Sequence, residues 1–409
     1  MSKFPLDVLT GTFYRLPVKT LLRFRALSKP LCSLIDDPDF IKHHLKHSLS
    51  TKSHLILILK GLHLYTVDLD SMDKATPFDD YPESIWGGTE VFGSCNGLVA
   101  LSNSDLDIVL FNPATRKLFK LPVECIELPN ESCVRGFVFF GFGYDHVKDD
   151  YKVVRMVRFK QGEDDDIGWF IDYEVKVFSL KTNSWRRIKK LPNYLRFMFQ
   201  FYFHLMHRRG YGVYACGVLH WMLPRKPELG IVNLIVGFDL VAEEFRVLPQ
   251  PDYGENEKDF VLDVGVLEGL LCVICNYDQV KVDVWMMKEY GVKESWSKLF
   301  SVGRNRSISS VRFLKPLAYS KECGDGDGSD KILLDVNGEK LVWYDWKRKR
   351  LKTVRIKGAP DSFGTFLCVE SLVPLVDEKK KKQQKQEKER NHIRKKRDDF
   401  LSKGFKLVL

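Results

Sequence analysis

At 409 residues the chain is too long for one ordinary domain unless that domain is repetitive or a large all-β body. Its 44% hydrophobic and 12% aromatic content supplies a core, which excludes a mostly disordered chain. Residues 377–409 hold thirteen Lys or Arg against six Asp or Glu, a net +7 of the chain's +10, so a globally basic surface is excluded and nucleic acid is not an expected partner. No run approaches the roughly 18 apolar residues of a membrane span. The N-terminus lacks the basic-then-apolar layout of a secretion signal. Nine cysteines, an odd number scattered from Cys32 to Cys368, fit free thiols in a reducing compartment. Cytoplasm and nucleus are therefore the expected locations.

The first element is a short helix with Leu6, Leu9, Phe13 and Leu16 on one face. Leu16-Pro17 breaks it, since the residue before proline avoids helix. A second helix follows from Thr20 to Leu27. A third runs from Ser28 to Ile35, with Pro30 in its first turn and Ser28 as N-cap, and ends at Asp36-Asp37-Pro38. Three helices this short bury little, and units below about 40 residues need outside help. A partner is expected to complete them. His43, His44 and His47 read as a solvated helix end.

Phe4-Pro5-Leu6-Asp7-Val8-Leu9, Arg15-Leu16-Pro17-Val18-Lys19-Thr20-Leu21-Leu22-Arg23-Phe24-Arg25 and Ser33-Leu34-Ile35-Asp36-Asp37-Pro38-Asp39-Phe40 resemble an F-box of the plant type. The resemblance implies docking on a Skp-type adaptor, which links to a cullin scaffold of a ubiquitin ligase. Carried over residue by residue, it makes Phe4, Pro5, Leu9, Leu16, Pro17, Leu21 and Leu31 the adaptor-binding set. Leu31 stands where that family usually has tryptophan, and Gly11 where it has a helix former.

From residue 54 to about 376 the chain reads as β structure, with short runs of β-formers between Gly, Asn and Asp. Leu55-Ile56-Leu57-Ile58-Leu59 is strand-sized. A motif then recurs: an aromatic, a polar turn, and an apolar residue seven positions on. It appears at Phe111, Phe178, Phe238 and Tyr344, with a longer loop at Trp285 and weakly at Tyr65. The five strong copies lie 67, 60, 47 and 59 residues apart. Each predicts a β-hairpin. Upstream, Gly97, Gly217, Gly269 and Gly338 lead apolar strands and are expected where backbones crowd at a centre. The favoured fold is a small all-α N-terminal unit followed by an irregular β-propeller of six or seven blades, with a two-sheet β-sandwich as the alternative. The domains are 1–45, 46–376 and a charged tail, 377–409.

Gly93-Ser94-Cys95-Asn96-Gly97-Leu98, Phe111-Asn112-Pro113, Gly141-Phe142-Gly143-Tyr144-Asp145, Val218-Leu219-His220-Trp221 and Ser371-Leu372-Val373-Pro374-Leu375 resemble landmarks of the kelch-like F-box-associated domain. The resemblance implies recognition of the protein to be ubiquitylated, with no covalent chemistry by this chain. An enzyme or carbohydrate binder built on a propeller is the other class, as is an F-box protein acting outside the ligase.

Chemistry-bearing motifs are weak. Cys95 mimics a nucleophile elbow, but a strand follows where a helix is needed. Cys272 and Cys275 have zinc-like spacing without a second pair. Gly324 to Asp330 is half a calcium loop lacking its closing Glu. No catalytic residue, metal or cofactor is expected. Phe197, Phe199, Phe201 and Phe203 alternate on one strand face. They either pack a blade onto its neighbour or form an exposed aromatic patch; on the second reading Phe199 and Phe201, with Arg208 and Arg209 in the same insert, are the expected substrate-binding residues. Lys379, Lys380, Lys381, Lys382, Arg394, Lys395, Lys396 and Arg397 are the expected nuclear localisation signal, the alternative being a solvated tail or lone exposed helix.

Overall fold

The run Leu55–Lys60 (β1) explains the architecture. Its alternate side chains divide, Leu57 and Leu59 packing to one side and Ile56 and Ile58 to the other. A strand apolar on both faces must be covered on both faces. β1 therefore stands between two neighbouring sheets. The structure, a computed structural model, describes residues 6–78, 89–161, 172–189, 192, 211–223, 234–253, 260–304, 308–321 and 331–375.

Among these residues six antiparallel sheets of four strands form a ring. The first contains β1, Leu64–Asp68 (β2) and Thr76–Pro77 (β3). The second is Glu90–Cys95 (β4), Leu98–Ser102 (β5), Ile108–Asn112 (β6) and Lys117–Lys120 (β7). The third is Cys133–Asp145 (β8), Asp150–Gln161 (β9), Asp172–Ser179 (β10) and Ser184–Arg187 (β11). Val213–Ala215 (β12), Val218–Leu223 (β13), Leu234–Asp239 (β14) and Glu244–Leu248 (β15) make the fourth. Val261–Leu267 (β16), Leu270–Tyr277 (β17), Lys281–Met287 (β18) and Trp296–Gly303 (β19) make the fifth. The sixth is Leu314–Tyr319 (β20), Lys331–Val336 (β21), Lys340–Asp345 (β22) and Arg350–Val354 (β23). The ring closes when Gly364–Val369 (β24) returns to pair with β1, Leu55 opposite Val369 and Lys60 opposite Gly364. The fold is a six-bladed β-propeller. It replaces the sandwich alternative and fixes the blade count at six.

The inner strands touch around the ring, β24 to β4, β4 to β8, β8 to β12, β12 to β16 and β16 to β20. Six apolar clusters fill the gaps between blades. Each fully buried Leu, Ile or Phe there contributes about 1.5–3 kcal/mol. At the seam of the last and first blades, Thr365 Oγ1 donates to Asp335 Oδ2 at 2.7 Å. Burial pushes the Asp335 carboxyl up to about 6.

The recurring motif is the hairpin between the third and fourth strands of each blade. Asn112 Oδ1 accepts from the backbone N–H groups of Ala114 and Thr115, and Asp239 Oδ1 from those of Val241 and Ala242. Asp345 Oδ1 accepts from Arg348 N–H in the same way. Asn and Asp favour turns for this reason. Five positions after the aromatic, Arg116, Asn183, Glu243 and Lys349 take φ of +55°, +53°, +57° and +50°. That left-handed residue reverses the chain into the outer strand. Gly97 lies in a two-residue turn with φ +83°, where a Cβ would overlap the Ser371 side chain and the Val369 carbonyl. It is a turn residue at a close approach, whereas Gly217 and Gly269 are turn residues for their φ of +80° and +82° alone. The expected placement on crowded strand starts is corrected to these turns.

Buried charges lock blade 3 to its neighbours. Lys152 Nζ donates to Asp145 Oδ2 at 2.7 Å, Leu240 O at 2.6 Å and Glu243 Oε1 at 2.9 Å. Arg155 reaches Glu124 O at 2.7 Å and Glu174 Oε1 at 3.4 Å. Lys176 Nζ holds Glu124 and Glu127 at 2.6 and 2.7 Å. These bonds tie the connection after blade 2 onto β9 and β10.

Candidate functional site

The N-terminal unit has four helices, Leu6–Phe13 (α1), Val18–Arg25 (α2), Lys29–Ile35 (α3) and Pro38–Thr51 (α4). The expected count of three is corrected. Asp37-Pro38 both ends α3 and starts α4: Asp37 Oδ1 caps the N–H groups of Asp39 and Phe40 at 3.0 and 3.1 Å, and Pro38 fills the first turn. Ser28 caps α3 through Leu31 N–H at 3.4 Å, with Pro30 in the first turn as expected. Arg25 clamps Asp36 with two bonds of 2.6 and 2.7 Å, which hold its carboxyl below the usual range.

The core of this unit is Phe13, Val18, Leu21, Ile35 and Phe40, closed by Leu372 from beyond β24. The help that short helices need therefore comes in part from the chain's own C-terminal segment. Asn112 Nδ2 donates to Ser371 O at 3.1 Å and Val373 O at 2.9 Å, fixing that segment on blade 2. Ile41 and Leu45 of α4 pack against the cluster between blades 2 and 3. Lys42 pairs with Asp149 at 2.5 Å and Lys52 with Glu268 at 2.6 Å.

His44 is fully buried, against the expectation of a solvated helix end. Its Nε2 bonds Leu16 O at 2.9 Å, and its ring stacks on His54 at 6.2 Å. Burial lowers the pKa of both rings, opposed by their bonds to the Leu16 and Arg15 backbones. The two imidazoles thus join the α1–α2 turn, α4 and the start of β1.

These contacts place the helices on one face of the propeller. Asp149, Glu268, Ala114 and Gly97 all lie in turns of that face. Strand alternation sends the other connections to the opposite face. Of the four long inserts, those at 123–135, 160–169 and 192–209 join strand ends on the opposite face, whereas 320–331 joins ends on the helical face. Exposed Val123, Leu128 and Phe137 lie toward the opposite face. Phe199, Phe201, Arg208 and Arg209 lie outside the described residues, as do the tail residues Lys379 to Arg397 and the half calcium loop.

Of the adaptor-binding set, Phe4 and Pro5 lie outside the described residues and Leu9 is on α1. Pro17 is exposed, and Leu16 and Leu31 are half-buried. Leu21 is fully buried and has no surface to offer, so its part is to hold the helices together. Leu27, which the expected set leaves out, is 70% exposed in the α2–α3 turn. The signal was an apolar residue just before the Ser28 cap, where helix α2 has already ended.

The chemistry-bearing motifs resolve into core. Cys95 ends β4, and burial raises its thiol far above the ordinary value. Cys272 and Cys275 are buried on β17, with Cys272 pushed up to about 12. Such thiols are poor nucleophiles and poor metal ligands. Among the described residues no group of three or more His, Cys, Asp or Glu could hold a metal.

The chain is a helical unit fixed to one face of a six-bladed propeller. Residues 1–43 match the F-box domain and residues 55–375 the F-box associated beta propeller domain, so the chain belongs to the F-box proteins that carry this propeller. It is 50% identical to F-box protein CPR1 of Arabidopsis thaliana, over 100% of both chains. It is 41% identical to F-box protein At4g22390 of the same plant, again over 100% of both. Among solved structures it superposes on an oligogalacturonate lyase in complex with manganese with TM-score 0.37 and 12% identity, over 72% of this chain and 70% of that one.

Proposed function

We propose that the chain is the substrate receptor of an SCF-type ubiquitin ligase. Its F-box docks on a Skp-type adaptor and so on a cullin scaffold, and its propeller holds a target protein for ubiquitylation. The observation that carries this reading is the separation of two faces. The F-box is seated on one face by α4 and Leu372, and three of the four long inserts leave from the other. A target held there stays clear of the adaptor while its local concentration near the ligase rises. The receptor supplies position and no covalent step.

The test is affinity purification of the full chain, scored for adaptor and cullin peptides. Pro17→Asp combined with Leu27→Asp should lower adaptor recovery about tenfold or more, the scale of an interface hot spot. Aspartate at position 17 is a favoured N-cap for α2, so the fold is spared. Unchanged recovery would move the docking surface elsewhere. A wild-type chain that brings down neither adaptor nor cullin would remove the ligase reading.

The basic tail supports residence in the nucleus as well as the cytoplasm. A tagged chain lacking residues 379–397 should lose nuclear signal, and an unaltered distribution would remove this part.

A further inference from the structure

Seven Lys or Arg and no acid occupy the eleven residues 347–357. Everything before residue 377 carries a net charge of only about +3, so this segment is balanced by acids elsewhere and forms a local positive rim. It is β23, the outermost strand of blade 6, with its two flanks. Outer strands of other blades neutralise their cations. Lys120 on β7 pairs with Asp107 at 2.9 Å, and Arg187 on β11 with Glu127 at 2.8 Å. Arg246 on β15 pairs with Asp239 at 3.3 Å, and Lys298 on β19 with Asp283 at 2.7 Å. On the basic rim Arg348 reaches Asp345 at 3.6 Å. The exposed Arg350, Lys352, Arg355 and Lys357 have no acidic side chain at ion-pair distance among the described residues.

One edge of β23 bonds β22, from Asp345 opposite Arg350 to Leu341 opposite Val354. Among the described residues no strand bonds its other edge. Beyond it, Lys357 is tied to blade 1 by its N–H to Asp73 O and its C=O to Ala75 N–H, both at 2.9 Å. Arg350, Lys352 and Arg355 also line a cavity of about 1110 Å³. Several acids of that cavity are already engaged: Asp70 by Lys321 at 2.6 Å, Glu268 by Lys52 at 2.6 Å and Asp335 by Thr365 at 2.7 Å. The positive charge of the rim is left over.

We propose that this rim binds an extended acidic segment of a partner protein, whose carboxylates meet Arg350, Lys352 and Arg355 while its backbone can add to the open edge of β23. Arg–carboxylate forks give such a contact strength and orientation, and strand addition is a common way to hold an extended peptide. Charged side chains, lysine above all, protect sheet edges from aggregation, and the other outer strands manage with paired cations. Residues 347–357 contain no aromatic on which bases could stack, which favours a peptide over single-stranded RNA. Assigning this segment to the target rests on the receptor reading; β23 runs from a turn of the helical face toward the opposite face, so the rim adds an edge contact to those of the inserts.

The experiment measures anisotropy of a labelled oligo-glutamate peptide and of a labelled oligo-uridine RNA with the full chain. Arg350→Glu, Lys352→Glu and Arg355→Glu together should weaken peptide binding by about tenfold or more, as expected when several charge-assisted contacts are reversed. Replacing Lys379, Lys380, Lys381 and Lys382 by glutamine should change it by less than about twofold. If the triple reversal fails to fold, the corresponding three glutamine substitutions are read instead. Unchanged binding in these variants, binding that follows the tail, or tighter binding of RNA than of peptide would overturn the proposal. Adaptor recovery is untouched in every case, so this failure and that of the ligase reading are told apart.

Discussion

Lys152→Ala should destabilise the propeller by about 3–5 kcal/mol, the cost of removing one partner from a buried charge cluster. Lys152 is 2% exposed on β9. Its ammonium holds Asp145 of its own blade and both Leu240 O and Glu243 of blade 4. Burial alone would push the Asp145 carboxyl up. The bond to Lys152 and the N–H groups of Lys148 and Val147 more than offset this, so the carboxyl stays below its usual range. Alanine removes the largest of those opposing contributions and leaves two carboxylates facing a gap. The companion variant replaces the whole cluster, with Lys152→Met, Asp145→Asn and Glu243→Gln. It should regain most of the loss, because no buried charge is then left unpaired: Arg186, which pairs with Glu243, is exposed and keeps its water, and the asparagine introduced at position 145 can still cap the turn through its side-chain oxygen. Urea denaturation reads both. A loss below about 1 kcal/mol in Lys152→Ala would mean that water reaches the site and that the cluster is no bolt between blades.

The strand residues that make this cluster show where sequence reading stops. Leu55 to Leu59 was legible because a continuous apolar run of strand length has one physical outcome, burial on both faces. The hairpins were legible because Asn112, Asp239 and Asp345 cap turns by local bonds that need no tertiary context. Lys152, Arg155, Glu174 and Lys176 were not. Their strands read as β from Val, Phe and Tyr, but whether a charge points inward depends on partners such as Glu124 and Glu243 on other elements. The blade count was hidden for a similar reason. The first blade borrows β24 from about 310 residues away, and spacings of 47 to 67 residues blur the repeat. In the docking unit, Asp36-Asp37-Pro38 is a stop signal by itself and becomes a start only when Phe40 and His44 find a buried face. Leu21 has the same apolar character as Leu27. Only the packing separates the one that builds the unit from the one left on its surface.

Leu372→Ala should loosen α1 to α3 while leaving α4 seated and the blades intact. Leu372 is 8% exposed and packs with Phe13, Val18, Leu21, Ile35 and Phe40. A buried Leu→Ala change costs about 2–5 kcal/mol. The propeller should not bear that cost, since Asn112 holds the segment through the Ser371 and Val373 carbonyls whatever the side chain at 372. Ile41 and Leu45 keep α4 seated on the cluster between blades 2 and 3, but α2 and α3 have no such anchor among the described residues, and Lys42–Asp149 and Lys52–Glu268 are exposed pairs worth at most about 1 kcal/mol each. Hydrogen exchange should therefore rise more than about tenfold in α2 and α3 and stay unchanged in β13 and β17. Acid should act in the same direction. His44 and His54 have pKa values below the ordinary 6.5, chiefly by burial, so the folded state binds fewer protons than the unfolded one. Stability from these rings is present above pH 6.5 and is lost as pH falls below it. The groups that face them are His47, Lys321 and Asp70, and the cations among them add to the effect once the rings are charged. Exchange in α2 and α3 should accelerate on crossing that pH in the wild-type chain, and by less in Leu372→Ala, where the helices are already loose. Equal protection of α2 and α3 in wild type and Leu372→Ala would show that the four helices stand without the C-terminal segment, and that the F-box is tethered to the propeller by α4 alone.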